Sequence, residues 1–333
     1  MRILIVTDAW APQINGVVRT LQNTIRCLKH NGHDVAVISP EQFKTVSCPG
    51  YPEIPLSLAS KRRFAQLVEA FKPDALHIST EGPLGLRARQ YARSRDLRYT
   101  TAYHTRFPEY VHRYFKIPLV MTYRYMKWFH RHSAAVMVPT PTVIQELTRW
   151  GFKSLVLWSR GVELDLFKPT AAPDKDKNKQ IFLYVGRLST EKNIEAFLDL
   201  DLPGEKHVVG DGPQLENLKN QYHDVIFWGS KTKEELPAYY NLADVFVFPS
   251  KTDTFGLVML EAMACGTPVA GLPVASPIDV VEEGATGSLN HDLRVACLDA
   301  LAIPREKVRT SALKWSWEQS SRHFENSLVS ARS

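Results

Sequence analysis

Hydrophobic and polar positions follow one repeating plan along this 333-residue chain. Short apolar runs, rich in Val, Ile, Leu and Phe, stand between longer stretches whose apolar residues recur every three to four positions. Such runs are too short for helices and read as strands buried on both faces. "RILIVT" at 2–7 is the first. The stretch 16–30, "GVVRTLQNTIRCLKH", has the helical period, and "NGHD" behind it puts Gly32 at a C-cap position. The pattern predicts further strands at 35–39, 75–79, 99–103, 134–139 and 154–158, with helices over 61–71, 83–95, 118–131 and 141–150. Strand and helix in alternation means a parallel sheet covered by helices on both faces.

The plan stops at 167–180, "FKPTAAPDKDKNKQ", which has no apolar period and reads as an exposed linker. It restarts with strands predicted at 181–186, 206–210, 225–229, 245–250, 268–272 and 287–290. The chain is therefore expected to hold two doubly wound α/β domains, residues 1–166 and 181–310, joined by the linker 167–180. A C-terminal segment, 311–333, follows, with a long aromatic helix predicted over 311–329. In open parallel sheets ligands bind beyond the carboxyl ends of strands, so two such domains facing one another make a cleft. Residues that follow strands are the candidates for chemistry.

After the first strand, Gly16 stands where a helix begins. Glycine there lets backbone N–H groups approach a phosphate; a simple helix start is the alternative. No complete GxGxxG is present, so a nicotinamide site is unsupported. His104, in "YHTRFPEY", falls at a strand exit and could hydrogen-bond a sugar hydroxyl, or serve structurally as most lone histidines do. In "VGRLSTEKN", Arg187 and Lys192 bracket a strand-to-helix turn where Ser189 or Thr190 could be the N-cap; two cations there suit a diphosphate. "VGDGP" with Gly212 and "FWGSK" with Gly229 are turns that offer backbone groups to a nucleobase. In "KTDTFGLVMLEAMACGTPVA", Asp253 precedes and Glu261 follows a helix start at Phe255-Gly256-Leu257, an arrangement that can hold a sugar and a ribose around free amides. A capping residue plus a buried polar helix residue is the structural alternative.

Charge changes the picture next. Residues 1–168 carry 24 Lys+Arg against 12 Asp+Glu, a net of +12, and residues 169–333 carry 17 against 23, a net of −6. A basic half suggests an anionic partner. Residues 98–131 hold seven Lys+Arg, one acid and ten aromatics, with Val120, Tyr123 and Tyr125 interleaved with Arg124, Lys127 and Arg131, a mixture suited to a lipid headgroup layer. No stretch reaches the ~20 apolar residues of a membrane span, and "MRILIVTDAW" does not read as a signal peptide. Cys27, Cys48, Cys265 and Cys297 show no CxxC spacing, so reduced thiols are expected and no disulfide framework or zinc site.

The ordered set "PQINGVVRTL", "YHTRFPEY", "RGVELDLFKP", "FLYVGRLSTEKN", "VVGDGP", "FWGSKTKEELPAYYNLADVFVFPS" and "TDTFGLVMLEAMACGTPVA" spans nearly the whole chain. It resembles the retaining glycosyltransferases of the GT-B fold, glycosyltransferase family 4, and within it the glycolipid-synthesising branch: glycosyl- and sulfoquinovosyl-diacylglycerol synthases and phosphatidylinositol mannosyltransferases. The resemblance implies two Rossmann-like domains facing a central cleft, with the C-terminal helix crossing back to the first. It implies a nucleotide-sugar donor, UDP-glucose-type with GDP-mannose next. The acceptor would be a membrane lipid such as diacylglycerol or a glycolipid, or alternatively a soluble or polysaccharide acceptor. It assigns His104, Arg187, Lys192 and Asp253 to catalysis, and Gly16, Gly212, Gly229, Phe255, Gly256, Leu257 and Glu261 to the donor. Asp253 departs from the commoner Glu, one methylene shorter, which reads as an adjustment to the donor sugar. No metal and no cofactor is implied: the patterns Asp174/Asp176 and Asp199/Asp201 do not follow strands. The expected protein is cytoplasmic and peripheral on the inner face of an anionic membrane, with Arg124, Lys127 and Arg131 in contact. A nucleic-acid-binding protein, the rival reading of the basic half, lacks a matching motif and leaves the paired acids without a role.

Overall fold

The computed structural model describes residues 1–13, 15–48, 51–170 and 179–332. They form two compact units, Met1–Arg160 with Trp317–Ser333, and Gly161–Ser316.

In the first unit the strands are β1 (Arg2–Val6), β2 (Asp34–Ile38), β3 (Thr45–Cys48), β4 (Tyr51–Ser57), β5 (Ala75–Ile78), β6 (Thr100–Ala102), β7 (Val136–Val138) and β8 (Leu155–Leu157). Six of them make a parallel sheet in the order β2-β1-β5-β6-β7-β8, and β3 and β4 form a separate antiparallel hairpin. Helices α1 (Gly16–His30), α2 (Lys61–Phe71), α3 (Pro83–Ser94), α4 (Phe107–Phe115), α5 (Leu119–His130) and α6 (Pro141–Arg149) connect them. Strand β1 shows why its run is wholly apolar. Leu4 and Val6 enter a core with Phe64 and Val68 of α2 and Leu84 and Ala88 of α3, while Ile3 and Ile5 enter another with Leu21, Ile25 and Leu28 of α1. Successive strand residues point to opposite faces, so a strand covered on both must be apolar throughout.

The second unit repeats the scheme. Strands β9 (Gln180–Val185), β10 (Gly204–Val209), β11 (Val225–Phe227), β12 (Val245–Phe248), β13 (Val269–Gly271) and β14 (Gly287–Leu289) form a parallel sheet ordered β11-β10-β9-β12-β13-β14. Helices α7 (Glu195–Leu198), α8 (Leu215–Gln221), α9 (Leu236–Leu242), α10 (Leu257–Ala264), α11 (Ala275–Val280), α12 (Leu293–Ala300) and α13 (Arg305–Ala312) cover it. Along β9, Leu183 and Val185 face one core and Phe182 and Tyr184 the other.

Two sequence expectations are corrected. The first unit ends at Arg160, not at 166. Val162 and Phe167 are buried in the second unit's core, Phe167 lies edge-on to Tyr240 at 6.0 Å, and Arg309 donates to the Phe167 carbonyl. Most of the expected linker, residues 171–178, lies outside the described residues, and Asp174 and Asp176 lie there with it. The helix expected over 311–329 is two helices, α13 and α14 (Trp317–Ser327). Between them the backbone is engaged sideways: the Trp315 carbonyl accepts from Val162 N, and Ser316 bridges to Val162. Helix α14 belongs to the first unit, where it packs on α1 and buries Phe324 against Trp158 and His77. The hairpin β3–β4 and helix α4 were not foreseen.

Candidate functional site

In the first unit, β6 delivers His104. Its imidazole is buried, packs edge-on against Trp158 at 5.3 Å, and takes a hydrogen bond on Nδ1 from Arg160 Nη2 at 3.1 Å. Arginine can only donate, so Nδ1 accepts and the imidazole proton sits on Nε2. That Nε2–H is buried and has no partner. Burial, then the Arg160 charge, holds the imidazole pKa well below its ordinary range, so the ring is neutral. Arg160 is itself buried, and desolvation brings its pKa down to about 9. A neutral imidazole with a fixed tautomer and a free donor is equipped to bind a hydroxyl or carbonyl oxygen. Sequence reading missed Arg160, although it follows β8 at a strand exit.

Asp8 follows β1 at the same edge, but its carboxylate is spent on structure. It accepts from Leu84 N at 2.9 Å, Gly85 N at 3.3 Å and Thr80 Oγ1 at 2.8 Å, capping α3. Helix α1 begins at Gly16 as expected, but Asn15 is its N-cap and its side chain accepts from Val17 N and Val18 N, each at 3.0 Å. Those two amides are therefore not open to a phosphate, which narrows what the Gly16 turn can offer.

In the second unit, β9 runs out through Gly186 to the exposed Arg187 and a single 3-10 turn, Thr190–Lys192. Ser189 has the extended backbone of a cap, yet its hydroxyl donates to Glu191 Oε1 at 2.6 Å and makes no side-chain cap. The loop after β12 is stapled to this turn: Asn193 Nδ2 donates to the Pro249 carbonyl at 3.0 Å, and Thr252 to the Glu191 carbonyl at 3.4 Å. The staple brings together two residues 61 positions apart, and Lys192 Nζ meets Asp253 Oδ1 at 2.5 Å. Asp253 Oδ2 is buried and has no hydrogen-bond partner. The expected separate roles of cation and acid are thus one unit, an ion pair with one carboxylate oxygen to spare.

Beyond Asp253, Gly256 adopts φ +78° as the N-cap of α10. A Cβ there would come within 2.9 Å of the Phe248 ring and 3.0 Å of Met259 Cε, so both conformation and space require glycine. No side chain caps α10. Phe255 is buried edge-on to Trp315, and its carbonyl accepts from the Ser276 hydroxyl. Leu257 is the first residue of the helix. Glu261 sits on a helix that is otherwise apolar all round, is 5% exposed, and accepts from Tyr240 OH at 2.8 Å. A buried carboxylate needs such a partner. Tyr240, on α9, was not foreseen.

Two expected donor residues have a packing role. Gly212 has Leu188 backbone where its Cβ would be, with the oxygen at 2.4 Å, because the loops after β9 and β10 cross in contact. Gly229, at φ +69°, turns the chain so that its carbonyl accepts from Gly210 N at 2.9 Å. Asp199, of the second acidic pattern, is held by Tyr222 OH at 2.6 Å. Among the described residues, no three His, Cys, Asp or Glu side chains gather as a metal site.

On α5 the exposed face carries Val120, Met121, Arg124, Lys127 and Trp128, with Arg131 following at the C-cap. Tyr123 and Tyr125 do not share it. Tyr123 stacks on Trp150 at 4.1 Å and donates to Glu109, and Tyr125 donates to the Glu81 carbonyl. Helical spacing alone had not separated the buried rings from the exposed side chains.

Two doubly wound parallel-sheet domains, with a cation–acid pair and an uncapped helix start beyond the strand ends of the second, have the architecture of the GT-B fold. Comparison with known proteins gives the family. Residues 14–166 match the description "Glycosyltransferase Family 4" and residues 170–292 "Glycosyl transferases group 1". The chain is 30% identical to the sulfoquinovosyl transferase SQD2 of Arabidopsis thaliana, over 96% of this chain and 71% of that one. It is 30% identical to a GDP-mannose-dependent alpha-mannosyltransferase of Corynebacterium glutamicum, over 87% and 76%. It is 28% identical to the alpha-monoglucosyldiacylglycerol synthase of Streptococcus pneumoniae, over 97% and 83%. Among solved structures, sucrose-phosphate synthase from Thermosynechococcus elongatus superposes with a TM-score of 0.78 at 21% identity, covering 98% and 97%. The Anabaena protein HepE in complex with UDP-glucose gives 0.72 at 16%, covering 98% of each. The chain belongs to glycosyltransferase family 4.

Proposed function

We propose that this enzyme transfers a hexose from a nucleotide sugar to a hydroxyl of a membrane lipid, diacylglycerol or a glycolipid, with retention at the anomeric carbon. The observation that carries the reading is the Lys192–Asp253 pair with its spare buried oxygen. A cation and an unpartnered carboxylate oxygen side by side fit a phosphate and a sugar hydroxyl side by side, the junction that defines a nucleotide sugar. The relatives' names support the two ends of the reaction: one is a monoglucosyldiacylglycerol synthase, two are transferases named for their sugars, and HepE was solved with UDP-glucose. UDP-glucose is the favoured donor and GDP-mannose the next.

In this reading the bond from the anomeric carbon to the diphosphate breaks while the bond to the acceptor oxygen forms on the same face. The acceptor's proton passes to the departing diphosphate. Lys192, Arg187 and the amides at Phe255, Gly256 and Leu257 neutralise the charge that develops there, with no metal, an electrostatic role that often dominates catalysis. Asp253 Oδ2 accepts from a sugar hydroxyl, Glu261 from the ribose, and the His104 Nε2–H donates to the transferred sugar. Gly16, Gly212 and Gly229 shape backbone around the diphosphate and base. No helix among the described residues is long and apolar enough to cross a membrane. The enzyme works as a peripheral protein on the cytoplasmic face, with Arg124, Lys127 and Arg131 drawn to its anionic surface.

The test is to incubate purified enzyme with UDP-glucose, UDP-galactose or GDP-mannose, with and without detergent-dispersed diacylglycerol, and to measure nucleoside diphosphate and product lipid. Diphosphate release that depends on the lipid is expected. Release driven only by a sugar or polysaccharide acceptor would replace the lipid, and no release with any donor would overturn the assignment.

A further inference from the structure

Four exposed large hydrophobic side chains of the first unit lie within seven residues of one another on one helical corner. Phe115, Ile117, Val120 and Met121 are 54%, 38%, 56% and 61% exposed. They close the end of α4 and open α5. From there the exposed face of α5 runs from Val120 and Met121 to Arg124, Lys127 and Arg131, with the Trp128 ring, which stacks under Arg89, among the cations. No acid occurs between Glu109 and Glu146 in the sequence, so the corner joins apolar side chains to one exposed cation at its tip, Lys116 at the α4 C-cap, and to further cations behind it. The apolar face that would let α5 lie flat on a membrane is already in use: Tyr123, Met126 and Phe129 are buried in the unit.

The corner is also held at a fixed angle. Arg89 of α3 is buried and donates to the Phe129 and Trp128 carbonyls, each at 3.0 Å, while its guanidinium lies 4.0 Å over the Trp128 ring. With Tyr123 stacked on Trp150, the helix needs no refolding to present its tip.

We infer that the α4–α5 corner is a wedge that enters the membrane end-on, with Phe115, Ile117, Val120 and Met121 among the acyl chains, Lys116 reaching back along its stem to the phosphates, Arg124 behind the tip at the phosphates, and Lys127 and Arg131 progressively further out. The rise of ~1.5 Å per residue puts Arg124 ~5 Å behind the tip, Lys127 ~10 Å and Arg131 ~16 Å. The headgroup layer is about 5–7 Å thick per leaflet, so Arg124 falls within it and Arg131 at or beyond its outer edge. The occupant is an anionic lipid surface, since apolar side chains followed by unopposed cations match acyl chains followed by phosphates. The inference rests on the lipid-acceptor reading and adds how the enzyme reaches its acceptor.

Vesicles of phosphatidylcholine and phosphatidylglycerol test it. An environment-sensitive dye is placed on Val120→Cys or Arg131→Cys in a Cys48→Ser background, since Cys27, Cys265 and Cys297 are buried. The dye at 120 should shift to the blue on vesicle addition and resist an aqueous quencher, and the dye at 131 should not. Val120→Ser with Met121→Ser should lower partitioning roughly tenfold or more, which corresponds to about 1.4 kcal/mol, with an unchanged melting temperature because both positions are exposed. Charge reversal to Glu should cost partitioning in the order Arg124, Lys127, Arg131. Equal shifts at 120 and 131, or equal losses for the three reversals, would mean a helix lying flat and overturn the wedge. No shift at either site, or loss of partitioning in favour of a concentration-dependent dimer through this face, would overturn it too. Transfer to detergent-dispersed diacylglycerol is measured separately and needs no vesicle, so its failure strikes the lipid-acceptor reading and not the wedge.

Discussion

The buried histidines of the first unit make acid the most informative perturbation. His77 is fully enclosed and His104 is buried. Burial lowers the His77 pKa to about 3, and burial with the Arg160 charge holds His104 well below its ordinary value. In the unfolded chain each titrates near 6.5. The folded value is depressed, so the stability is fully present above about pH 6.5 and is lost as the pH falls below it, because only the unfolded state gains protons. The size of the loss down to about pH 5.5 is set by the unfolded titration alone, as long as the native value stays lower: about 1.4 kcal/mol for each histidine, about 2.7 kcal/mol for both. The carboxyls of Asp8 and Glu109 are raised by burial and act in the opposite sense. The assay is therefore a difference, the melting temperature from about pH 7.5 to about pH 5.5 in the wild type against His77→Gln. The variant should lose about half of the histidine-driven slope. His104 has a functional counterpart: a neutral imidazole puts no inflection of its own in the pH–rate profile near 6.5. A variant slope equal to that of the wild type, or an NMR titration of His104 near 6.5, would refute the reasoning.

Lys192→Met should cut diphosphate release by roughly ten- to 150-fold, since a charge-assisted contact is worth about 1.5–3 kcal/mol. A double-mutant cycle with Asp253→Asn in a urea titration should show coupling between the two, and additive effects with wild-type turnover would remove both from the site. Gly256→Ala should cost about 1–3 kcal/mol through a strained φ and the Phe248 contact, read as a lower melting temperature, and wild-type stability would contradict the geometry. Tyr240→Phe strips the hydroxyl from Glu261 and should destabilise the second unit by about 1–3 kcal/mol, measured by the urea midpoint. Addition of EDTA should leave turnover unchanged, and a strict manganese requirement would contradict the role given to Arg187 and Lys192.

How much of this was legible in the chain depends on the range of the signal. The twelve strands of the two parallel sheets stand within two residues of their expected positions, and the central ones, such as β1 and β9, are legible because a strand covered on both faces has no alternative composition. Helices α1 and α2 match to the residue, as "NGHD" and Ser60 mark a boundary of each. What escaped has mixed local signals. Strand β4, "YPEIPLS", carries two prolines and no alternation, and β3 is four residues long. Helix α4 is aromatic where a helix is usually aliphatic, and begins straight after the "HTR" turn. The end of the first unit was placed six residues late because Val162 and Phe167 look like ordinary chain until one knows which core they enter.

The site follows the same logic at longer range. A strand-exit rule finds Lys192 and Asp253 separately, since each is a polar residue in a loop after an apolar run. It cannot pair them, because the pairing is made by Asn193 and Thr252, whose bonds go to backbone carbonyls some 56 and 61 residues away. His104 shows the limit most clearly. Its position after β6 is in the sequence, but its tautomer is not. Which nitrogen carries the proton depends on Arg160, which reaches Nδ1 from a strand exit 56 residues further on. The chemistry available at His104, a neutral ring with a free Nε2 donor, is thus a property of two strand ends laid together in one sheet edge. A loop sequence read alone gives the residue type, and the sheet order β6-β7-β8 is what turns it into a hydrogen-bond donor of fixed direction.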